Sequence, residues 1–185
     1  MSSYLNIIMD KERKKMKDKY FIPKRIALLG IGIALYVVLG FMVKIPLIAH
    51  IQTDLGYLVF GVMCAMVGWP AFIVGVLGAL IESLIFSGWV PVGWMVGQAL
   101  IGIICGLAFK HIKIKWVNII IAIAAVFLGV AVCKTGIECA LYDIPLLVKF
   151  PKNAIAFVAD AIPMVMGYVL AITALKKPIA LFNQE

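Results

Sequence analysis

An all-α integral membrane protein, a six-transmembrane-helix bundle with both termini cytoplasmic, is predicted by three observations. Of the 185 residues, 64% are hydrophobic and 14% charged, against roughly 45–50% and 25% in soluble globular domains. The apolar residues fall into six runs bounded by charge or by Pro and Gly. The Lys and Arg residues gather on alternate sides of those runs, as they do where loops face the cytoplasm. A chain of this length forms one compact unit, and it cannot enclose so much apolar surface, so lipid supplies the missing contact. The chain thus divides into a basic cytoplasmic segment over residues 1–25, a membrane domain over 26–175 and a short cytoplasmic tail over 176–185.

The first segment holds eight of the 17 basic residues, Lys11, Arg13, Lys14, Lys15, Lys17, Lys19, Lys24 and Arg25. Massed before the first apolar run, they are an orientation signal rather than a nucleic-acid footprint, despite a net charge of +8. The segment either lies on anionic lipid or forms a disordered basic tail. Residues 1–9 lack the features of a cleaved secretory signal, so the N-terminus is expected to be retained.

The apolar runs cover about 26–43, 55–69, 71–87, 92–109, 117–141 and 154–175. The second and third meet at Gly68-Trp69-Pro70, a turn signal without charge. Together they make about 50 Å of helix, too long for one span and slightly short for two. Two short or tilted helices are expected, with one re-entrant segment as the alternative. Six spans place 13 of the 17 basic residues inside, counting Lys110, Lys113 and Lys115 after the fourth run and Lys176 and Lys177 after the sixth. Lys44, Lys149 and Lys152 fall outside, and Lys134 lies within the fifth run. Removing one span would expel a basic cluster from the cytoplasm, so six is the better count.

Several functions are excluded by missing signatures. There is no G-x-x-x-x-G-K-[ST] phosphate loop, no H-E-x-x-H and no G-x-S-x-G. The chain is therefore expected to be no enzyme, and any pumping would draw energy from another subunit. No internal repeat of the kind found in secondary transporters is visible. Cys64, Cys105, Cys133 and Cys139 lack ligand or disulfide spacing and read as packing residues. Neither a metal nor a cofactor is expected.

An ionisable side chain inside the hydrocarbon costs roughly 2.5–3.5 kcal/mol on insertion scales and tends to face an interior. Glu82, Lys134, Glu138 and Asp160 are such residues, with Gln98 as a neutral companion. Threaded through six spans, all five fall in the outer half of the bundle, although they are scattered along the sequence. That common depth predicts a solute-binding chamber open to the exterior. Lys134 and Glu138, four apart on one helix, can pair as a structural bridge or bind the solute. Trp89 and Trp94, at the same level, either anchor helix ends at the headgroups or present an indole to a planar or cationic solute. The loop Lys44 to Thr53, with Pro46, His50 and Gln52, is a candidate lid. Small residues at helical spacing, Ala27, Gly30 and Ala34 in the first run and Gly75, Gly78 and Ala79 in the third, predict close helix approach or a docking face for another membrane subunit.

Three stretches, Asp54-Leu55-Gly56-Tyr57, Gly68-Trp69-Pro70 and Gly102-Ile103-Ile104-Cys105-Gly106, come after a basic N-terminus and sit among six short apolar runs. In these features the chain resembles the substrate-binding S components of energy-coupling factor (ECF) transporters, in the group of the riboflavin-type S components. The resemblance covers most of residues 25–175. It implies a vitamin-like small-molecule substrate, captured from outside and released inward when the S component docks on one transmembrane T subunit carrying two ABC-type ATPases. It also implies residence in a bacterial or archaeal cell membrane. In that family small residues of the first helix, typically Ala-x-x-x-Ala, touch the T subunit. Here Gly30-x-x-x-Ala34 is the nearest match, while Ala27 is followed four residues later by Ile31. A stand-alone proton- or ion-coupled carrier, titrating at Glu82, Glu138 and Asp160, is the competing expectation.

Overall fold

The computed structural model describes residues 23–42, 44–46 and 52–174. Most of the basic N-terminal segment, His50 of the expected lid and the tail with Lys176 and Lys177 lie outside the described residues. Within them the chain is almost entirely helical. Helix α1 spans Pro23–Met42. It leads into a small antiparallel hairpin, β1 (Lys44–Pro46) against β2 (Gln52–Asp54), with Lys44 opposite Asp54. Then come α2 (Gly56–Val67), α3 (Phe72–Ser87), α4 (Val92–His111), α5 (Lys115–Val126), a π-helical stretch over Phe127–Lys134, α6 (Thr135–Tyr142) and α7 (Leu146–Ala174). The stretch from α5 through α6 runs without a break from Lys115 to Tyr142. Successive columns alternate in direction, so the hairpin and the turns at 88–91 and 143–145 share one end of the bundle. The turns at 68–71 and 112–114 share the other.

Among the described residues, five helices are long and apolar enough to cross a membrane: Pro23–Met42, Trp69–Ser87, Val92–His111, Lys115–Tyr142 and Leu146–Ala174. The run expected over 55–69 forms a helix of 12 residues, about 18 Å long against a hydrocarbon core of ~30 Å. Its shortness is tolerable because it is shielded by protein. Gly56, Tyr57, Val59, Phe60, Gly61, Met63, Cys64 and Val67 are all buried, and α2 lies directly on α7. That contact is backbone to backbone. A β-carbon on Gly61 would run into the Met164 carbonyl, and one on Gly167 into the Leu58 carbonyl.

The α2 to α3 turn works as its sequence suggests. Gly68 takes φ 77°, which side chains disfavour, and donates its N–H to the Cys64 carbonyl at 3.1 Å. Pro70, whose ring needs no donor, then sits in a single 3-10 turn, Trp69–Ala71. On α3 the small residues do not bring two helix backbones together. Gly75 and Gly78 instead seat the rings of Phe60 and Tyr36, the latter with its Cδ1 atom 2.5 Å from where a Gly78 β-carbon would stand. Tyr36 and Tyr57 both meet Phe60 edge-on, at 6.2 and 6.4 Å between centroids.

Helix α7 begins eight residues before the expected start at 154, at Leu146. Pro151, the sixth residue of the helix, removes the intrahelical donor to the Leu147 carbonyl, yet the helix continues through it. At 29 residues the helix is about 43 Å long, longer than a ~30 Å apolar layer requires. Pro163 is buried farther along and removes the intrahelical donor to the Ala159 carbonyl, beside Asp160.

Candidate functional site

Each polar residue at the hairpin end is brought inward by helical spacing. On α3 the buried face runs Gly75, Gly78, Ala79, Glu82 and Ser83, positions three and four apart. On α4, Gly97, Gln98, Ile101, Gly102 and Cys105 are buried with the same period, and Trp94 stands one turn before Gln98. On α7 the inward face carries Asn153, Asp160, Met164, Gly167 and Tyr168. Glu82, Gln98 and Asp160 are 2%, 0% and 7% exposed, so all three are withdrawn from lipid and from solvent.

The centre of the arrangement is Asp54, at the end of β2. Its Oδ1 accepts the Gly56 N–H at 2.7 Å and its Oδ2 accepts the Tyr36 hydroxyl at 3.1 Å. The Tyr36 oxygen in turn accepts Nε2 of Gln98 at 3.1 Å. The backbone N–H of Asp54 donates to the Asp160 carboxylate, which also lies in the electrostatic reach of Lys134 and Glu82. Glu82 approaches from α3: its Oε2 is 2.6 Å, and the Asp54 Oδ1 2.8 Å, from the point a Gly40 β-carbon would occupy. The two carboxylates are thus close neighbours, and a side chain at position 40 would displace them. Trp94 donates its indole N–H to the Tyr57 hydroxyl at 3.5 Å, and Lys134 Nζ lies 5.5 Å from the centroid of the Trp94 ring, within cation–π range.

Glu82, Trp94, Gln98, Lys134 and Asp160 are accordingly brought together from four different elements. Glu138 is not paired with Lys134, as their spacing allowed. It binds Lys149 of α7 at 3.1 Å, and Asn153 donates to its Oε2 at 3.4 Å and to Thr135 Oγ1 at 2.9 Å. The π-helical stretch, with more residues per turn than an α-helix, changes the direction in which the side chains of α6 face. Glu138 thereby joins a clasp between α6 and α7 beside the central group. The two clusters touch, since Glu138 Cγ and the Lys134 carbonyl are each 3.1 Å from the β-carbon position of Gly93. Trp89 stands apart. It is 47% exposed, packs edge-on against Tyr142 at 5.7 Å, and only its carbonyl is engaged, by Ser83 Oγ at 3.1 Å.

Sequence reasoning missed Tyr36, Asp54, Tyr57, Thr135 and Asn153. Asp54 and Tyr57 entered only within the stretch Asp54-Leu55-Gly56-Tyr57 that carries the family resemblance, and Tyr36 only as an apolar-run residue. A signal was present in Asn153, seven residues before Asp160 and hence on the same face of one helix.

The clasp yields a first prediction. The side chains of Lys149 and Glu138 are 23% and 9% exposed, between a surface pair worth ~0–1 kcal/mol and a buried pair whose disruption costs ~3–5 kcal/mol. Lys149→Ala is expected to lower stability by about 1–3 kcal/mol. Adding Glu138→Gln, which keeps an acceptor for Asn153, is expected to recover most of the loss. Thermal unfolding of the two single variants and the double variant in detergent measures the coupling.

Along α1, Ala27, Gly30 and Ala34 are all exposed, and a β-carbon on Gly30 would meet nothing within 4 Å. The small-residue face is therefore turned away from this chain's own described helices. Gly32, on another side, is filled by Met63.

The UPF0397 protein of Streptococcus gordonii is 26% identical over 175 residues, covering 87% of this chain and 92% of the relative. That of Lactobacillus acidophilus is 27% identical over 171 residues, covering 83% and 92%. The UPF0397 protein of Clostridium perfringens is 28% identical over 102 residues, and there the chain spans about half of the relative, 55%. The sequence profile described as the ECF-type riboflavin transporter S component matches residues 21–181. With nearly the whole membrane domain inside that match, the chain belongs to the family of ECF-type riboflavin transporter S components.

Proposed function

We propose that this chain is the membrane-embedded, substrate-binding subunit of an ATP-driven uptake transporter. It spans the cell membrane six times, counting the short α2, with both termini cytoplasmic and the hairpin end outside. A vitamin-sized solute enters from that end and rests among Tyr36, Asp54, Tyr57, Glu82, Trp94, Gln98, Lys134 and Asp160. Glu138 and Lys149 hold the wall beside it. The observation that carries this reading is the convergence of polar side chains, five of the eight buried, from seven elements at one end of an otherwise apolar bundle. Polar groups withdrawn into the membrane are costly, and such residues mark solute pathways. The family description names riboflavin; the cargo of this chain is a small molecule of the same order of size. Mass spectrometry of whatever co-purifies with the detergent-solubilised chain tests the reading. No retained small molecule under any extraction condition would sink it.

Coupling would run through the bare face of α1. A transmembrane T subunit bearing two ABC-type ATPases would pack against Ala27, Gly30 and Ala34, where small side chains let helices approach closely. Ala34→Trp is expected to leave solute binding within twofold of wild type while cutting uptake by at least tenfold in cells that supply the partner subunits. Equal loss of binding and uptake would remove the docking role. A stand-alone proton- or ion-coupled carrier is the second reading, favoured by the three neighbouring carboxylates of Asp54, Glu82 and Asp160. Uptake into liposomes holding this chain alone would establish it in place of the first.

A further inference from the structure

The Gln98 carboxamide is fully buried, and its orientation is set by its neighbours. Tyr36 has one hydroxyl proton, and it goes to Asp54 Oδ2. Gln98 can therefore offer that oxygen only an N–H, as the 3.1 Å contact from Nε2 records. The carbonyl Oε1 remains, buried and accepting a hydrogen bond from no described residue. A buried acceptor left this way forfeits its hydration without replacement. Leucine or methionine at position 98 would avoid that cost.

The surroundings of this carbonyl are rich in further acceptors. Asp54, joined to Gln98 through the Tyr36 hydroxyl, has the Glu82 carboxylate beside it at Gly40 and gives its backbone N–H to Asp160. The Tyr57 oxygen accepts the Trp94 indole N–H. Lys134 is the cation that reaches Asp160 among the described residues, and it already lies over the Trp94 ring. Aromatic rings of Tyr36, Tyr57 and Trp94 stand beside these groups, a setting for a flat molecule. A solute that brought more acceptors would be repelled, whereas one that brought N–H donors would complete Gln98 and meet a carboxylate.

We infer that the solute presents a planar, N–H-donating edge, of the amidinium or aromatic amine kind, to Gln98 Oε1 and to the carboxylate group centred on Asp54, which Tyr36 links to Gln98. This rests on the receptor reading proposed above and narrows it to a chemical class. Charge-assisted hydrogen bonds from a forked donor to a carboxylate are among the stronger polar contacts available.

Two probes of one shape and opposite hydrogen-bonding sense test it: benzamidine, which only donates, and benzoate, which only accepts. Binding of each to the full chain in nanodiscs is measured by titration calorimetry or saturation-transfer NMR. Benzamidine is expected to bind at least tenfold more tightly than benzoate. Gln98→Leu is expected to weaken benzamidine at least fivefold, and Gln98→Glu, which keeps the acceptor, to retain it. The wild-type comparison needs no variant to fold. Equal or tighter binding of benzoate, saturation by neither probe, or benzamidine binding unchanged in Gln98→Leu would overturn the inference. The receptor reading is judged separately by the co-purifying molecule. A retained solute without N–H donors refutes the donor class alone, whereas no retained solute together with no probe binding refutes both.

Discussion

Gly167→Val is expected to yield chain that fails to fold, or that unfolds at a far lower temperature than the wild type in detergent. A β-carbon at 167 would overlap the Leu58 carbonyl, and the same crossing of α2 and α7 has Gly61 against the Met164 carbonyl. Both obstacles are backbone atoms, which cannot rotate aside as a side chain can. Overpacking a core ordinarily costs ~1–3 kcal/mol. Here the cost should lie at or above the top of that range, because relief requires moving α2 bodily and α2 is buried along most of its length. In a membrane the crossing matters further, since helix association there depends on close packing rather than on apolar burial from water. Gly136→Ala supplies the control: that glycine is exposed, with nothing within 4 Å of a β-carbon. It should unfold at or slightly above the wild-type temperature. Comparable unfolding of the two variants would remove the crossing from its place in the fold.

The contrast between those two glycines also shows what the sequence could and could not disclose. Apolar runs and their Gly and Pro punctuation located the helical columns, because length and hydropathy are local properties that a bilayer reads directly. The same reading could not tell a glycine under a ring, such as Gly78 beneath Tyr36, from one facing open space, such as Gly30. That difference arises only when another helix arrives. The start of α7 was displaced because Pro151 reads as a boundary, whereas the helix continues through it with the loss of one backbone hydrogen bond. The hairpin around Asp54 went unread for a related reason: strands of three residues carry too little periodicity to register. Within the site, Glu82, Gln98, Lys134 and Asp160 were legible as polar residues where hydrocarbon penalises them. Tyr36 and Tyr57 were not, since an aromatic residue in an apolar run needs no explanation until its hydroxyl is seen on a carboxylate or an indole. The spacing of Lys134 and Glu138 allowed them to pair or to face the solute, and it could not disclose Lys149, which reaches Glu138 from another helix.

Asp160→Asn is expected to separate binding from stability, moving them in opposite directions. Asparagine preserves the size of the side chain and an oxygen that can accept the Asp54 backbone N–H, the contact that ties α7 to the hairpin. What disappears is the negative charge. A neutral amide is less costly to bury than a carboxylate, and α7 carries this position on its inward face at 7% exposure, so the unfolding temperature should hold or rise. Lys134, half-buried and over the Trp94 ring, keeps that ring as a partner after the change. Solute retention should fall at least a hundredfold, equivalent to roughly 2.8 kcal/mol at 1.4 kcal/mol per decade. Quantifying the molecule that co-purifies with wild-type and variant chains, alongside their unfolding curves, reads both quantities from one preparation. A drop in stability matched by a drop in retention would make Asp160 a structural anchor between α7 and β2. Wild-type retention would take its carboxylate out of the binding site, and the burial of charge beside Lys134 would then serve the pair alone.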